Sequence, residues 1–237
     1  MTHNETNALK HRWGYRRRTI HYFLLTLARI FFFFIKFEVH GKENIPKEKE
    51  GTLFVSNHLS HLDSIFMAVA AFPRKRLIHF MGAKDFMEKI QFKWTKYEGA
   101  FPVGRGKGER EKGIKKAILL LQDGSSVGIF PEGRRSRSGK MHDPQKGAGW
   151  IKSEVGPNLR VIPVYLYGTQ NIMPPHRYMI RFGAKTIIYF GKVINFKDLD
   201  SLSPAPETSN QLIQVMIKEI KKLEKEFYRD LIKNSNN

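Results

Sequence analysis

Thr52-Leu53-Phe54-Val55-Ser56-Asn57-His58-Leu59-Ser60-His61-Leu62-Asp63 passes from an apolar run through a polar turn toward a second apolar run, Ser64 to Phe72. The first run is short and reads as a buried strand; the second reads as a helix stopped by Pro73. His58 and Asp63 stand five positions apart, which excludes a shared helical face, because helical neighbours are three or four apart. They can meet if His58 lies on the turn leaving the strand and Asp63 in the first turn of the helix. Ser60 suits the N-cap of that helix, and Asp63, three positions on, completes a capping box with Asp in place of the usual Glu or Gln. His58 then stands at the carboxyl end of a strand within reach of a carboxylate, as an oriented general base would.

The same alternation continues outward from this unit. Phe37 to Gly41, Leu77 to Met81, Gly99 to Val103, Val127 to Phe130 and Arg160 to Tyr167 read as strands, and Lys185 to Phe196 as β-rich with a turn at Gly191. Helices are expected from about Lys84 to Tyr97, from Ile114 to Gln122 before a left-handed cap at Gly124, and from Gly147 to Glu154. The glycine-rich, charged stretch from Gly104 to Gly113 reads as a mobile loop, and Pro131 to about Gln145 as a long one. In the last segment, Asn210 to Lys233, Leu212, Met216, Ile220, Leu223, Phe227 and Leu231 share one face, the pattern of an amphipathic helix packed on the domain. The expectation is an α/β fold: a mixed, mostly parallel central sheet flanked by helices.

Length and composition bound the function. The 237 residues suit one well-buried domain with appendages, and the absence of cysteine excludes disulfides, thiolate zinc sites and cysteine nucleophiles. Lysine and arginine number 41 against 22 acids, a net charge of +19 that attracts nucleic acid, anionic lipid, phosphorylated metabolites or an acidic carrier protein. His11 to Arg18 is basic and leads into an apolar stretch, Thr19 to Ile35, that ends in Phe31-Phe32-Phe33-Phe34. The stretch falls short of the roughly 20 apolar residues of a spanning helix and carries His21 and Arg29. No small-residue cleavage site follows it, which argues against a removed signal peptide. Residues 1–37 are therefore read as an uncleaved basic-aromatic segment lying in an anionic membrane surface, with a single span or a buried helix as the alternatives. Residues 38–237 form the domain proper.

Ligands of open α/β sheets gather at the carboxyl ends of strands. Three segments place unusual polar residues there: Asn57-His58 with Asp63, Phe101-Pro102-Val103-Gly104-Arg105, and Phe130-Pro131-Glu132-Gly133-Arg134-Arg135-Ser136. Each alone has an ordinary reading, since Glu132 could pair with Arg134 or Arg135 across a turn and His58 could be a structural hydrogen-bonder. Together they suggest a cleft holding a base, a carboxylate and several cations. His58, His61 and Asp63 raise the question of a metal. The H-x-x-H-x-D spacing lacks the trailing histidine of dinuclear hydrolases, and His79 and His142 stand alone, so no metal site is expected.

In their order, Asn57-His58-x-Ser60-x-x-Asp63, Phe101 to Arg105, Phe130-Pro131-Glu132-Gly133-x-Arg135-Ser136 and Val161-Ile162-Pro163-Val164 resemble the motifs of the glycerolipid acyltransferase family. The likeness runs from about residue 50 to 165, and Lys146-Gly147-Ala148 also resembles a family segment. Arg134 stands where the family commonly has threonine, and Gly104 where an acidic residue is frequent.

The resemblance implies a membrane-associated O-acyltransferase on the cytoplasmic face of the inner membrane. It would carry a fatty acyl group from acyl-CoA or acyl carrier protein to the sn-2 hydroxyl of 1-acyl-glycerol-3-phosphate, giving phosphatidic acid. It implies His58 as the base and Asp63 as its orienting partner, and assigns Arg105, Glu132, Gly133, Arg135 and Lys146 to acceptor binding. A planar guanidinium suits bidentate contact with phosphate. Ile162 and Pro163 are expected to shape a substrate pocket. No cofactor is needed beyond the thioester co-substrate. Partners are a lysophospholipid, the acyl donor and an anionic membrane surface; nucleic acid is not expected, because no basic sequence with regularly interleaved aromatics is present. Other acceptors, such as glycerol-3-phosphate, a glycolipid or an ornithine lipid, are the alternative.

Overall fold

The computed structural model describes residues 36–46, 50–74, 76–88, 99–104, 106–174, 181 and 183–235, together with Phe23, Thr26 and Leu27. The basic-aromatic segment of residues 1–37 thus lies almost wholly outside the described residues, as do Arg105 and most of the helix expected from Lys84 to Tyr97. Of that helix, Lys84–Met87 is described.

Seven strands, β1 (Phe37–His40), β2 (Thr52–Ser56), β3 (Ile78–Ala83), β4 (Phe101–Val103), β5 (Ser126–Ile129), β6 (Arg160–Tyr167) and β7 (Thr186–Phe190), form one sheet. Their order is β1-β7-β6-β2-β5-β3-β4. β2 pairs in parallel with β5 and β6, and β3 with β4 and β5. β7 turns antiparallel to β6, and β1 runs parallel to β7. β1 and β7 therefore run against the other five strands. The flanking helices are α1 (Asp63–Ala71), α2 (Lys84–Met87), α3 (Lys107–Gln122), α4 (Gly147–Val155), α5 (Thr169–Ile172) and α6 (Pro206–Ser235). The mixed, mostly parallel α/β architecture is as expected from the sequence.

Both faces of the sheet are covered, which is why its central strands read as unbroken apolar runs. Phe54, Phe80, Ile162 and Ile188 pack with α1 on one face. Leu53, Val55, Val127 and Val161 pack with α3, α4 and α6 on the other. Leu212, Met216, Ile220, Leu223 and Phe227 of α6 are buried along one stripe, each worth about 1.5–3 kcal/mol. Leu231, expected on that face, is instead 40% exposed. Gly149 lets α4 approach α6 closely, since a Cβ there would collide with the Ser209 carbonyl.

Two local expectations are corrected. The stretch Gly104 to Gly113 is largely helical, because α3 begins at Lys107 with Gly106 as its N-cap. Its charged residues are good helix formers, and Glu109 in the first turn bonds Lys112 one turn on at 2.7 Å. The N-cap of α1 is Leu62 rather than Ser60. A reciprocal pair like that of a capping box forms all the same, two residues before the N-cap: the Leu62 N–H donates to Ser60 Oγ (3.2 Å) and the Ser60 N–H to Asp63 Oδ2 (2.8 Å). Beyond Phe190 the β-rich segment is irregular, yet the N–H groups of Gly191 and Ile194 still donate to Pro163 and Val161 of β6.

Candidate active site

β2 and β5 are adjacent, so the turns that leave their carboxyl ends lie side by side. His58 leaves β2, and its Nδ1 stands 2.8 Å from Asp63 Oδ2. Asp63 is fully buried while the His58 side chain keeps 20% of its surface. Asp63 Oδ2 also accepts the backbone N–H groups of Leu59 (2.6 Å) and Ser60 (2.8 Å). Those bonds fix the carboxylate before it meets the imidazole. Asp63 Oδ1 has no hydrogen-bond partner among the described residues. With Nδ1 turned to Asp63, the Nε2 side of the ring is left without a protein partner among the described residues.

The turn leaving β5 supports this ring from below. The Phe130 ring lies flat against His58, centroids 4.0 Å apart and planes 12° apart, and Phe80 stacks behind Phe130 at 6.0 Å. Glu132 is buried and spends both oxygens on backbone: Oε1 accepts the His58 N–H at 2.9 Å and Oε2 the His142 N–H at 2.8 Å. Burial pushes the Glu132 carboxyl above its ordinary value, against the two backbone N–H groups and nearby His58, which hold it down. The Ser136 N–H donates to the His58 carbonyl (2.7 Å), so His58 is tied to the third motif through both of its backbone polar groups. This geometry favours a positioning role for Glu132 over direct contact with a substrate.

Gly133, Arg135 and Lys146 are the other assigned residues whose structure is described. Gly133 is exposed with φ of +66°, a left-handed conformation that costs glycine little and lets the chain reverse immediately after Glu132. Arg135 is half-buried next to Ser136. Lys146 is exposed at the N-cap of α4, where the Gln145 N–H closes the loop onto the Pro131 carbonyl at 2.7 Å. The end of β4, which leads to Arg105, reaches the same sheet edge with β3 between it and β5. Ile162 is fully buried in the core beneath α1, whereas Pro163 lies mid-strand against Gly191 and borders a cavity with His40, Gly41 and Asn44. No cluster of metal-ligating side chains occurs among the described residues.

Two residues of the quoted motifs were given no role from sequence. Asn57 bridges β2 to β6 by accepting the Leu166 N–H (2.8 Å) and donating to the Leu166 carbonyl (2.9 Å). Phe130 stacks on the His58 ring. Both sit in the quoted motifs, but their partners lie far away in sequence, and only the pairing of β2 with β5 and β6 reveals them.

Comparison with known proteins bears on the same residues. Residues 36–167 match the model of the acyltransferase family, a stretch that holds both motif turns. The chain is 32% identical over 181 residues to a chloroplastic 1-acyl-sn-glycerol-3-phosphate acyltransferase of Arabidopsis thaliana, covering 76% of this chain and 48% of that one. It is 35% identical over 141 residues to a 1-acyl-sn-glycerol-3-phosphate acyltransferase of Borreliella burgdorferi, covering 58% and 53%. The chain spans about half the length of the curated relatives it matches. The crystal structure of the 1-acyl-sn-glycerophosphate (LPA) acyltransferase from Thermotoga maritima shares the fold, with a TM-score of 0.62 at 22% identity over 86% of this chain and 79% of that one.

Proposed function

Because the chain belongs to the acyltransferase family, we propose that it moves a fatty acyl group from an acyl thioester to the sn-2 hydroxyl of 1-acyl-glycerol-3-phosphate, forming phosphatidic acid. The observation that carries this reading is the His58–Asp63 pair at 2.8 Å, with the base half-open at the carboxyl edge of the sheet and its carboxylate sealed beneath it. His58 Nε2 takes the proton of the acceptor hydroxyl as that oxygen attacks the thioester carbonyl. The new C–O bond forms, the C–S bond breaks, and the imidazolium returns the proton to the departing thiolate. Asp63 holds the tautomer and offsets the imidazolium charge. The acceptor phosphate is assigned to Arg105 and Arg135, and Lys146 and Gly133 are assigned to acceptor binding with them. Glu132 contributes by fixing the His58 backbone.

The acceptor is a lipid, so the site edge must reach a bilayer. β1 runs opposite to β2, β5 and β6, and it therefore begins at the edge where those strands end. Residues 1–37 join the domain at that edge, which supports their role in holding the site to an anionic surface. Of their side chains, Phe23 and Leu27 are exposed. Among the described residues no helix is long and apolar enough to cross a membrane.

The test is acyl transfer to lysophosphatidate and to glycerol-3-phosphate, each with acyl-CoA and acyl carrier protein as donors. Lysophosphatidate should be the acceptor used. His58→Ala should lower kcat by about a thousandfold with thermal unfolding unchanged. Transfer to glycerol-3-phosphate alone would replace the acceptor assignment, and full activity of the variant would remove the base.

A further inference from the structure

α6 is longer than the sheet it covers, and its last turns differ from the rest. Up to Phe227 it packs on Tyr165, Tyr167 and Tyr189. Beyond that point Tyr228, Leu231 and Ile232 are 45%, 40% and 62% exposed. Positions i, i+3 and i+4 lie together on a helix, so these three side chains make one apolar stripe. Lys225, Arg229 and Lys233 follow one another at four-residue spacing beside it, and all three are exposed.

The direction of α6 gives this end its meaning. Glu219 and Lys222 share a cavity wall with His40, Gly41 and Asn44, at the edge where β1 finishes. Asp230, Leu231 and Lys233 border a second cavity, which shares His40 with the first but extends to Glu38, Lys185 and Ile187, toward the edge where β1 starts. That is also the edge where β2 ends and His58 stands. Three strand spacings, about 14 Å, separate β1 from β2 along this rim. A basic row flanking aromatic and aliphatic side chains is the composition that settles at an anionic bilayer surface.

We infer that the C-terminal end of α6 is a second membrane contact, in which Tyr228, Leu231 and Ile232 insert at the headgroup level while Lys225, Arg229 and Lys233 meet anionic lipid. The inference rests on the proposed lipid acceptor for its biological sense. With the segment that joins at Lys36, it gives the enzyme two points of attachment on one rim, and two points fix the tilt of the catalytic edge over the membrane. The occupant is a bilayer rather than the chain's own N-terminal segment or a second copy, because the row of three cations complements anionic headgroups.

The chain has no cysteine, so single thiols can be placed and labelled cleanly. An environment-sensitive fluorophore on Ile232→Cys in the full-length protein should be water-exposed in solution. It should shift to the blue, and be quenched by spin-labelled lipid, on vesicles of phosphatidylcholine with phosphatidylglycerol. The same label on Gln211→Cys, exposed on the first turns of α6, should do neither. Arg229→Ala with Lys233→Ala should weaken the quenching on anionic vesicles by about fivefold per charge removed. A label at 232 that is already shielded before vesicles are added, or that stays unquenched on them, overturns the inference. Acyl transfer to detergent-dispersed lysophosphatidate by the same labelled proteins separates the two readings: transfer without quenching sinks only the contact, and quenching without transfer sinks only the reaction.

Discussion

The two ends of the β2–β5 pair carry polar networks of opposite character. At the amino end the buried Arg76 guanidinium donates to Ser126 Oγ (2.6 Å), Thr52 Oγ1 (3.2 Å) and the Glu50 carbonyl (2.6 Å). Burial lowers its pKa, with Glu50 opposing. Every group in that cluster serves another. At the carboxyl end, Asp63 and Glu132 are similarly committed to backbone N–H groups, but the His58 ring they serve is left half-open. A saturated network can only hold strands together, whereas one with a single unspent nitrogen can accept a proton from outside. The same two strands supply the rigidity for both.

Three substitutions would break or sharpen this contrast. Asp63→Asn has the largest expected effect, about a thousandfold in kcat. The amide oxygen would keep the Oδ2 place that the Leu59 and Ser60 N–H groups demand, so Nδ1 can still donate to it, but the neutral side chain no longer offsets the imidazolium charge. Steady-state kinetics beside a circular-dichroism melt checks it, and a fall in stability with intact kcat would sink the charge-offsetting role.

Arg76→Met comes next, and it should act only on stability. Leaving two hydroxyls and a carbonyl without their donor should cost about 2 kcal/mol in denaturant unfolding. Specific activity of the folded fraction should be unchanged; a matching loss of kcat would show that the amino end reaches the chemistry.

Glu132→Gln should be the mildest, about a tenfold loss of kcat with little change in KM for the acceptor. One amide oxygen can replace only one of the two carboxylate acceptors. A KM effect without a kcat effect would return Glu132 to acceptor binding. Stability should also change with pH. The Glu132 carboxyl has a raised folded-state value, from an ordinary 4.5, caused first by burial. Its contribution to stability is fully present below the unfolded value and is lost as pH rises through the folded one. Unfolding titrations from acid to neutral pH should therefore show the wild type losing ground to the Gln variant.

Much of this was legible in the chain because it is local. The strand, turn and helix from Thr52 to Ala71 follow from an apolar run, a polar turn and a second apolar run, and the His58–Asp63 pair follows from the five-residue span that such a turn brings together. The buried stripe of α6 follows from spacing alone. Misreadings came where composition and context disagree. Glycines at 104, 106, 108 and 113 suggested a loop, yet the charged residues among them form the first turns of α3. Ile162 looked like part of a motif that lines a pocket, but its strand is central and covered on both faces.

By itself, then, the sequence determined most of the elements and the pairing of His58 with Asp63, because each depends on neighbours within a turn or two. Which strands lie side by side was decided by tertiary structure. Only the pairing of β2 with β5 places Glu132 under the His58 backbone and Phe130 under its ring, across 74 residues for the first contact. Only the reversal of β1 and β7 brings the start of the domain to the rim where His58 stands. Such contacts depend on how distant apolar faces are buried together, which no local pattern of residues encodes.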